Sequence, residues 1–296
     1  MILLPALTFA AVALVAGNNL SACVGPAIGS KVLSHRVGIL IGILGFCAGL
    51  LIQGASMTHT TSIVLPNPTF QLRALALLVA IVIFLIAYFL RAPISLTMSL
   101  VGLMVGLSIA QHASISSSIT WVIAMWFIGP IVAVIATFCI LRLLHEMPPR
   151  NVWRRVQFLR LLLIVLSFTT AYALGANTLG LIVATGGFNA TTLLAAIAAI
   201  LVGSIYLGAG PIRRISQELF LMKYQNATVV LLMSTVLVEA ATVLGLPLSN
   251  TETMSAAVFG AGISYKAKYM SLKPFWIILA GWIIAPLLSF VIGLIL

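Results

Sequence analysis

The longest uncharged stretch of the chain is residues 161–212, which read LLLIVLSFTTAYALGANTLGLIVATGGFNATTLLAAIAAILVGSIYLGAGPI. As a single helix these 52 residues would be about 78 Å long, at about 1.5 Å per residue. The hydrocarbon core of a bilayer is only about 30 Å thick, so within a membrane the stretch must fold back. Residues 175–177 and 186–189, which contain glycine and asparagine, are the expected breaks.

The composition excludes a water-soluble globular protein. Of the 296 residues, 62% are hydrophobic and only 6% are charged, whereas soluble domains carry about 25% charged residues. The formal net charge is +11, but the basic residues lie between apolar stretches and form no basic and aromatic patch, so we expect no nucleic-acid partner. We expect an all-α, multi-pass protein of the cell membrane, surrounded by lipid, with about ten to twelve membrane elements.

The most polar segment, residues 145–158, divides the chain almost in half. Its arginines cluster around Pro148 and Pro149, and this excess of positive charge predicts a cytoplasmic linker. The linker separates a first membrane repeat, residues 1–144, from a second, residues 159–296. Three landmarks recur in the same order at offsets of 159, 154 and 156 residues: Asn18 with Asn177, Pro93 with Pro247, and Pro130 with Pro286.

Basic loop residues change position between the two repeats. The loop after Asn18 contains Lys31 and Arg36, whereas its counterpart, residues 186–190, is neutral. Residues 55–71 and 111–118 are neutral in the first repeat, and their counterparts contain Arg213, Arg214, Lys223, Lys266, Lys268 and Lys273. Because positive loops tend to stay in the cytoplasm, this pattern predicts that the two repeats are inverted, with broken or re-entrant helices.

Several other functional classes are not expected from the sequence. Residues 2–16 lack a basic start and a small-residue cleavage site, so we expect a membrane helix there and not a signal peptide. Cys23, Cys47 and Cys139 have no metal-ligand spacing, so we expect small buried side chains and neither a disulfide nor a metal site. The chain has no aspartate and no clustered histidines, which argues against an enzyme; no cofactor is expected.

Asparagine motifs interrupt the apolar stretches at equivalent positions of the two repeats. They place Asn18 and Asn19 in the first repeat and Asn177 and Thr178 in the second. Backbone breaks at membrane depth are tolerated only where they are buried in protein or line a cavity. Breaks at corresponding positions point to a transporter binding site, so these four residues are candidate substrate ligands. The alternative is hydrogen bonding between helices.

A Pro-x-Ser-x-Thr motif also occurs once in each repeat, at residues 93–97 and 247–251. Proline suits a helix start, and the serine can cap it. The free N–H groups and the positive end of the helix dipole then favour an anion without any basic side chain. We expect two such helix starts to face each other around a small anion, with ordinary capping as the alternative. The candidate ligands from these motifs are Ser95, Thr97, Ser249, Asn250 and Thr251.

Two acidic residues are candidates for binding a coupling ion. Glu239 is expected inside an apolar helix, residues 227–246, where a carboxylate suggests a proton relay. An ion pair with a nearby arginine, or a position near the membrane interface, is the alternative for Glu239. Glu252 directly follows the second proline motif, where the alternative is a capping box with Ser249.

These motifs resemble those of the PiT inorganic phosphate transporter family. Its hallmark, Gly-Ala-Asn-Asp-Val-Ala-Asn, occurs once per half and is followed by Pro-Val-Ser-Thr-Thr-His. Here the hallmarks read AGNNLSA at residues 16–22 and GANTLGL at residues 175–181. The resemblance implies an inverted-repeat permease, usually a homodimer, that moves an oxyanion with a coupling cation. Both hallmark aspartates are replaced, by Asn19 and Thr178, and the motif histidines by Met98 and Glu252.

The loss of the acidic pair bears on the coupling ion and on the substrate. In the family this pair helps to hold sodium and phosphate, although Asn, Ser and Thr oxygens and backbone carbonyls could still hold Na⁺. A carboxylate accepts the proton of phosphate and repels sulfate, so its loss removes one discrimination against sulfate. We expect a secondary-active permease that moves phosphate with Na⁺ or H⁺ by alternating access. A sulfate permease of the same fold and a passive anion channel are the alternatives.

Overall fold

The computed structural model describes residues 2–89, 95–113, 117–146, 151–208, 224–266 and 273–296. All regular secondary structure in these ranges is helical. The first half contains α1 (Leu3–Gly29), α2 (His35–Ile52), α3 (Met57–Val64), α4 (Phe70–Phe89), α5 (Leu96–Ala110) and α6 (Ile119–Glu146). The second half contains α7 (Val152–Leu174), α8 (Gly180–Gly186), α9 (Ala190–Val202), α10 (Tyr224–Val243), α11 (Asn250–Lys266) and α12 (Lys273–Ile295).

Most of these helices are suited to a membrane. In the described ranges, six are long and apolar enough to cross it: Leu3–Gly29, His35–Ile52, Ile119–Glu146, Val152–Gly186, Ala190–Leu207 and Tyr224–Val243. Three shorter apolar helices accompany them: Phe70–Ile86, Leu96–Ala110 and Leu279–Ile295. Large apolar side chains such as Leu40, Phe127 and Leu161 are exposed, as contact with lipid requires. The predicted all-α, multi-pass membrane protein is confirmed.

Contacts between helix ends define two opposite ends of the molecule. We call the end next to the predicted cytoplasmic linker the inner end and the opposite one the outer end. At the inner end, Arg155 near the start of α7 donates hydrogen bonds to Gln225 Oε1 at the start of α10 (2.9 Å) and to Leu144 O near the end of α6 (3.4 Å). At the outer end, Ser108 Oγ near the end of α5 donates to Val64 O at the end of α3 (2.6 Å). The end of α8 packs there against the start of α1.

Two helical hairpins enter the molecule from opposite ends. Helices α4 and α5 pack on each other, and α4 begins and α5 ends at the outer end. Helix α10 begins at the inner end, and α11 returns toward it in parallel with α6, with Gly260 packed on Val134. The described start of α5, residues 95–97, and residues 246–251 at the start of α11 therefore lie between the two ends, and we call these segments the first and the second tip.

The helices pack across the two halves in a reciprocal way. Helix α5 of the first half packs on α12 of the second, and α11 of the second packs on α6 of the first. In the same manner α2 packs on α7, and α1 packs on α9. Such an exchange of equivalent partners is typical of inverted repeats. The boundaries at residues 1–144, 145–158 and 159–296 stay a prediction.

Two expected backbone breaks are wrong. Helix α1 continues through Asn18 and Asn19, and the backbone stays helical through Gly175–Leu179, a π-helical segment. Helices α7 and α8 therefore form one rod, Val152–Gly186, with the π-helical segment inside it. The Asn177 amide is hydrogen-bonded to Thr242, Leu246 and Leu248, and Asn18 donates to Asn19 within α1, so both motifs lie inside continuous helical backbone. The chain turns instead at Gly187, whose φ of 90° suits glycine, and Asn189 caps α9.

Close packing between α2 and the rod depends on glycine. Gly49 lies against the Tyr172 carbonyl, and Gly175 lies against the Phe46 carbonyl. A Cβ at either position would clash with backbone, so a larger residue would push the helices apart. This packing fixes the position of the π-helical segment.

Several residues of the sequence predictions lie outside the described ranges: Pro93, Pro148, Pro149, Arg213, Arg214, Lys223 and Lys268.

Candidate functional site

A narrow cavity lies where the two hairpin tips meet α1 and the π-helical segment. It has about 240 Å³ of empty space, including its mouth, and each of the described residues that line it is uncharged. Seven of the nine predicted substrate ligands line it: Asn19, Ser95, Thr97, Thr178, Ser249, Asn250 and Thr251. The remaining two, Asn18 and Asn177, do not. Val15, Phe84 and Leu96 complete the wall.

Both helices that begin at the cavity have a serine cap. Ser95 Oγ accepts a hydrogen bond from the Met98 N–H (3.4 Å), and Ser249 Oγ accepts one from the Glu252 N–H (3.3 Å). The predicted serine caps are therefore present in both halves. The first N–H groups of a helix have no partner within it, and the helix dipole is positive there. Since α5 and α11 lead away from the cavity, their starts favour an anion inside it.

Two side-chain amides add hydrogen-bond donors. Asn250 Oδ1 accepts a hydrogen bond from Ser234 Oγ (2.8 Å), and the buried Nδ2 of Asn250 has no partner among the described residues. Asn18 Nδ2 donates to Asn19 Oδ1 (3.2 Å), which leaves Asn19 Nδ2 as a further donor at the cavity. An unpaired buried amide costs about 1–3 kcal/mol. Such a cost is expected where a ligand supplies the missing acceptor.

One hydrogen bond joins the first hairpin tip to the rod across the cavity. The Thr97 hydroxyl donates to Thr178 Oγ1 over 3.3 Å, and both side chains are buried. Thr178 belongs to the π-helical segment, and π-helical turns frequently occur at functional sites. This hydrogen bond therefore links α5 to the rod at the cavity wall.

Asn177 is buried and contacts the second hairpin tip from behind. Its Nδ2 donates to Thr242 Oγ1 (2.9 Å) and to Leu246 O (3.0 Å), and its Oδ1 accepts from the Leu248 N–H (3.1 Å). Trp126 Nε1 donates to Pro247 O (3.2 Å) and holds the same segment. The amide of Asn177 is thus used in positioning the tip. Asn18 reaches the cavity only through its hydrogen bond to Asn19.

The two acidic candidates have different surroundings. Glu252 lies in the first turn of α11, is 2% exposed, and its Oε2 has no hydrogen-bond partner among the described residues. Glu239 is half-buried in α10, close to Tyr172, whose hydroxyl donates to Gln53 Oε1 (3.1 Å). Among the described basic residues none forms an ion pair with Glu239. The arginine pair that we considered for Glu239 is therefore not found in these ranges.

Cysteine and metal-ligating side chains form no cluster in the described part of the chain. No group of three His, Cys, Asp or Glu residues there could hold a metal ion. Cys23 is buried and Cys47 is half-buried. Cys139 is exposed, so the expectation that each cysteine is a small buried residue is wrong for Cys139, which lies on the outward face of α6.

Comparison with known proteins agrees with this geometry. The model of the phosphate transporter family matches residues 15–293. The chain belongs to the phosphate transporter family. A putative phosphate permease of Methanocaldococcus jannaschii is 22% identical over 288 residues, which are 94% of this chain and 91% of the relative. A sulfate permease of Bacillus subtilis is 23% identical over 296 residues, which are 95% of this chain and 83% of the relative.

A solved structure has the same fold. It is that of a sodium-dependent phosphate transporter, with a TM-score of 0.83 and 16% sequence identity. The match covers 99% of this chain and 98% of that chain. The architecture of this member of the phosphate transporter family is therefore shared over the full described length.

Sequence reasoning missed the apolar residues of the cavity wall and the side chains that position the second tip. Val15 lies four residues before Asn19, on the same face of α1, so helical spacing could have found it. Phe84 lies in an ordinary apolar stretch, and no sequence signal distinguishes it. Ser234 positions the second tip from the preceding helix, and Trp126 does so from α6 of the first half. Only the tertiary structure reveals their partners.

Proposed function

We propose that this member of the phosphate transporter family is a secondary-active permease for an inorganic oxyanion, with phosphate as its first candidate substrate. One observation carries the proposal: hairpin tips that enter from opposite ends converge on a cavity whose described lining is uncharged and rich in hydrogen-bond donors. Two helix starts supply a favourable field for an anion, and no basic side chain is among the described lining residues.

The cavity residues have separate roles in this proposal. The Nδ2 groups of Asn19 and Asn250 donate hydrogen bonds to the anion. The hydroxyls of Thr97, Thr178 and Thr251 add donors or accept a phosphate proton. Ser95 and Ser249 orient the helix starts. Asn18 and Asn177 contribute indirectly, because their amides position Asn19 and the second tip.

Alternating access follows from the two hairpins in this proposal. A displacement of the first tip separates Thr97 from Thr178 and opens the cavity toward the outer end. A displacement of the second tip opens it toward the inner end. The structure of the sodium-dependent relative supports a cation-coupled cycle of this kind. A homodimer, as the family resemblance implies, stays a prediction.

Either H⁺ or Na⁺ is the coupling cation in this proposal. A proton would use Glu252, whose buried carboxyl group has an unpartnered oxygen beside the cavity residues, or Glu239 in α10. Sodium would use hydroxyl, amide and backbone carbonyl oxygens at the hairpin tips, which are hard ligands of the kind such cations take. The relative that is sodium-dependent by name supports Na⁺.

Uptake into proteoliposomes tests the proposal directly. Radiolabelled phosphate and sulfate are offered in parallel, with an imposed sodium gradient, an imposed proton gradient or neither. We expect phosphate accumulation that depends on one of the gradients. Equal flux without any gradient would indicate a passive channel, and no flux of either anion would refute the proposal.

Thr178 at the cavity and Thr169 away from it allow a matched test of the cavity. Thr178→Val removes one cavity hydroxyl and its hydrogen bond to Thr97, so we expect a severalfold rise in the KM for uptake. Thr169→Val makes the same change nine residues earlier on the same rod, where the hydroxyl bonds only to backbone. Thr169→Val should leave uptake unchanged. Equal kinetics in both variants would remove Thr178 from the site.

Sulfate is the second candidate substrate, because no carboxylate lines the cavity to accept a phosphate proton or repel a dianion. The similar identity of the sulfate permease relative supports it. Asn19→Asp restores an acidic group at the position of the first hallmark aspartate while keeping the side-chain shape. We expect it to reduce sulfate uptake more than phosphate uptake. An unchanged ratio of the two rates would show that Asn19 does not contact the anion.

A further inference from the structure

A second cavity lies at the outer end of the molecule. It has about 310 Å³ of empty space, including its mouth, and Arg73 lines it together with the hydroxyl residues Thr61, Ser62 and Thr185. Arg73 lies in the first turn of α4 and is half-buried. Met104 of α5 forms part of the floor. The cavity thus combines one cation with several hydroxyl groups.

The guanidinium group of Arg73 has no partner that would neutralise it. Within the described ranges, no carboxylate forms an ion pair with it and no acceptor takes a hydrogen bond from it. Its Nη1 lies beside Gly187, where a Cβ would be only 3.0 Å away. Glycine at this turn therefore leaves room for the guanidinium group. An arginine without a counter-ion is free to bind an anion through two parallel hydrogen bonds.

The position of Arg73 is unusual among the basic side chains that the structure describes. The others lie toward the inner end, on or beside the helix ends there: Lys31, Arg36, Arg142, Arg154, Arg155 and Arg160. The described segments 55–71, 111–113 and 117–118 at the outer end contain neither Lys nor Arg, Asp nor Glu. A single positive charge inside a neutral, low-dielectric cavity raises the local concentration of anions.

The outer cavity and the central cavity share two walls. Thr97 and Met104 lie seven residues apart on α5, and Thr178 and Thr185 lie seven residues apart on the rod. Seven residues are about two helical turns, or about 10 Å. At the central cavity Thr97 bonds to Thr178, and two helical turns further toward the outer end Thr185 Oγ1 lies 3.8 Å from Met104 Sδ. Two successive contacts between the same helices therefore separate the cavities.

We propose that the outer cavity is an entrance site, at which Arg73 binds an incoming inorganic oxyanion before it passes between α5 and the rod to the central cavity. The inference rests on the proposed function and adds a residue and a route to it. The hydroxyls of Thr61 and Ser62 now donate to the backbone carbonyls of Thr58 and His59, and they rotate toward the anion when it binds. Arg73 attracts the anion, and the central cavity selects it.

Charged thiol reagents test the electrostatic field of Arg73, and this test does not require the protein to transport an anion. Ser62→Cys places a thiol at the exposed edge of the cavity, in a chain whose Cys23, Cys47 and Cys139 are replaced by alanine. We expect an anionic methanethiosulfonate to react severalfold faster than a cationic one, and added phosphate or sulfate to slow it. Arg73→Gln should remove this preference, and Arg73→Lys should keep it. An unchanged preference in Arg73→Gln would overturn the proposal.

Uptake kinetics test the role of Arg73 in transport. Arg73→Gln should raise the KM for external anion severalfold and leave the maximal rate unchanged, with partial recovery in Arg73→Lys. The control, Arg36→Gln, removes an exposed charge at the inner end and should change neither value. A lower maximal rate at unchanged KM in both Arg73 variants would indicate a structural role and overturn the entrance site. If the wild-type chain moves neither anion, the proposed function fails, while the thiol reaction still decides whether Arg73 binds oxyanions.

Discussion

The two hairpin tips share a backbone design but differ in their side chains. Ser95 and Ser249 cap α5 and α11 through hydrogen bonds of similar length, and the capped N–H belongs to the third residue after each serine. That residue is Met98 in the first tip and Glu252 in the second, 3% and 2% exposed. Equivalent positions thus hold an apolar group in one half and an acid in the other.

The tips also differ in how asparagine is used. Asn177 donates and accepts hydrogen bonds with the backbone on both sides of Pro247. Its counterpart Asn18 donates to its neighbour Asn19, whose amide lines the cavity. The two halves therefore differ in their chemistry: Asn177 of the second half holds a tip in place and Glu252 adds an acid there, whereas Asn18 of the first half contacts only Asn19, which lines the cavity.

The largest expected effect comes from removing the Asn177 amide. Asn177→Leu leaves the Leu246 carbonyl and the Leu248 N–H unpaired in a buried environment. Each such group costs about 1–3 kcal/mol, so we expect the free energy of unfolding to fall by roughly 2–6 kcal/mol. Because the second tip loses its position, uptake should be lost as well. Thermal unfolding in detergent and uptake in proteoliposomes measure the two effects.

Asn18→Leu is the matched variant in the first half. It removes only the hydrogen bond to Asn19, so stability should change little while the KM for uptake rises. Asn177→Asp keeps the acceptor for the Leu248 N–H and should fall between Asn177→Leu and the wild type. Equal losses of stability in Asn18→Leu and Asn177→Leu would contradict the asymmetry of the two halves.

The next largest effect concerns the acid of the second tip. Glu252 is buried and no described basic residue forms an ion pair with it, so if it carries the coupling proton we expect it to exchange that proton when the cavity opens to water. Glu252→Gln keeps the shape and removes the proton exchange. We expect uptake driven by a proton gradient to fall to background, while exchange of labelled for unlabelled anion continues. Uptake of labelled phosphate or sulfate measures both modes.

Two further variants sharpen the assignment of the coupling group. Met98→Leu alters the equivalent residue of the first tip and should leave proton-driven uptake intact. Glu239→Gln alters the half-buried acid near Tyr172 and should also leave it intact. Loss of proton-driven uptake in Glu239→Gln but not in Glu252→Gln would assign the coupling proton to Glu239. If neither acid matters and sodium still drives uptake, Na⁺ is the coupling ion.

The sequence predicted which residues line the cavity better than it predicted the contacts between them. Seven of the nine predicted ligands line the central cavity, and they were selected because polar residues within long apolar segments are costly and recur at equivalent positions in the two halves. Their role as ligands stays a prediction. The capping by Ser95 and Ser249 was predictable, because it depends on residues three positions apart. These signals are local or repeat along the chain.

The remaining features depend on contacts between distant segments. Asn177 was interpreted as a ligand because a buried amide on one helix gives no hint of its partner about 70 residues away in the chain. The asparagine motifs were interpreted as breaks, although the helical backbone continues through both of them. No motif in the sequence distinguishes Arg73 from the other basic residues. Its unpaired position at the outer end is visible only in the tertiary structure.

The smallest expected effect compares the two serine caps directly. Ser95→Ala and Ser249→Ala each remove one capping hydrogen bond, which is worth about 1 kcal/mol of stability. If Glu252 acts only in coupling, the two variants should lower the thermal unfolding midpoint by similar amounts. If Glu252 instead completes a capping box, the loss should be larger for Ser249→Ala, because two reciprocal bonds would be broken together. Similar midpoints would therefore leave the carboxyl group of Glu252 free for proton exchange, whereas a larger loss at Ser249 would assign it to the helix start.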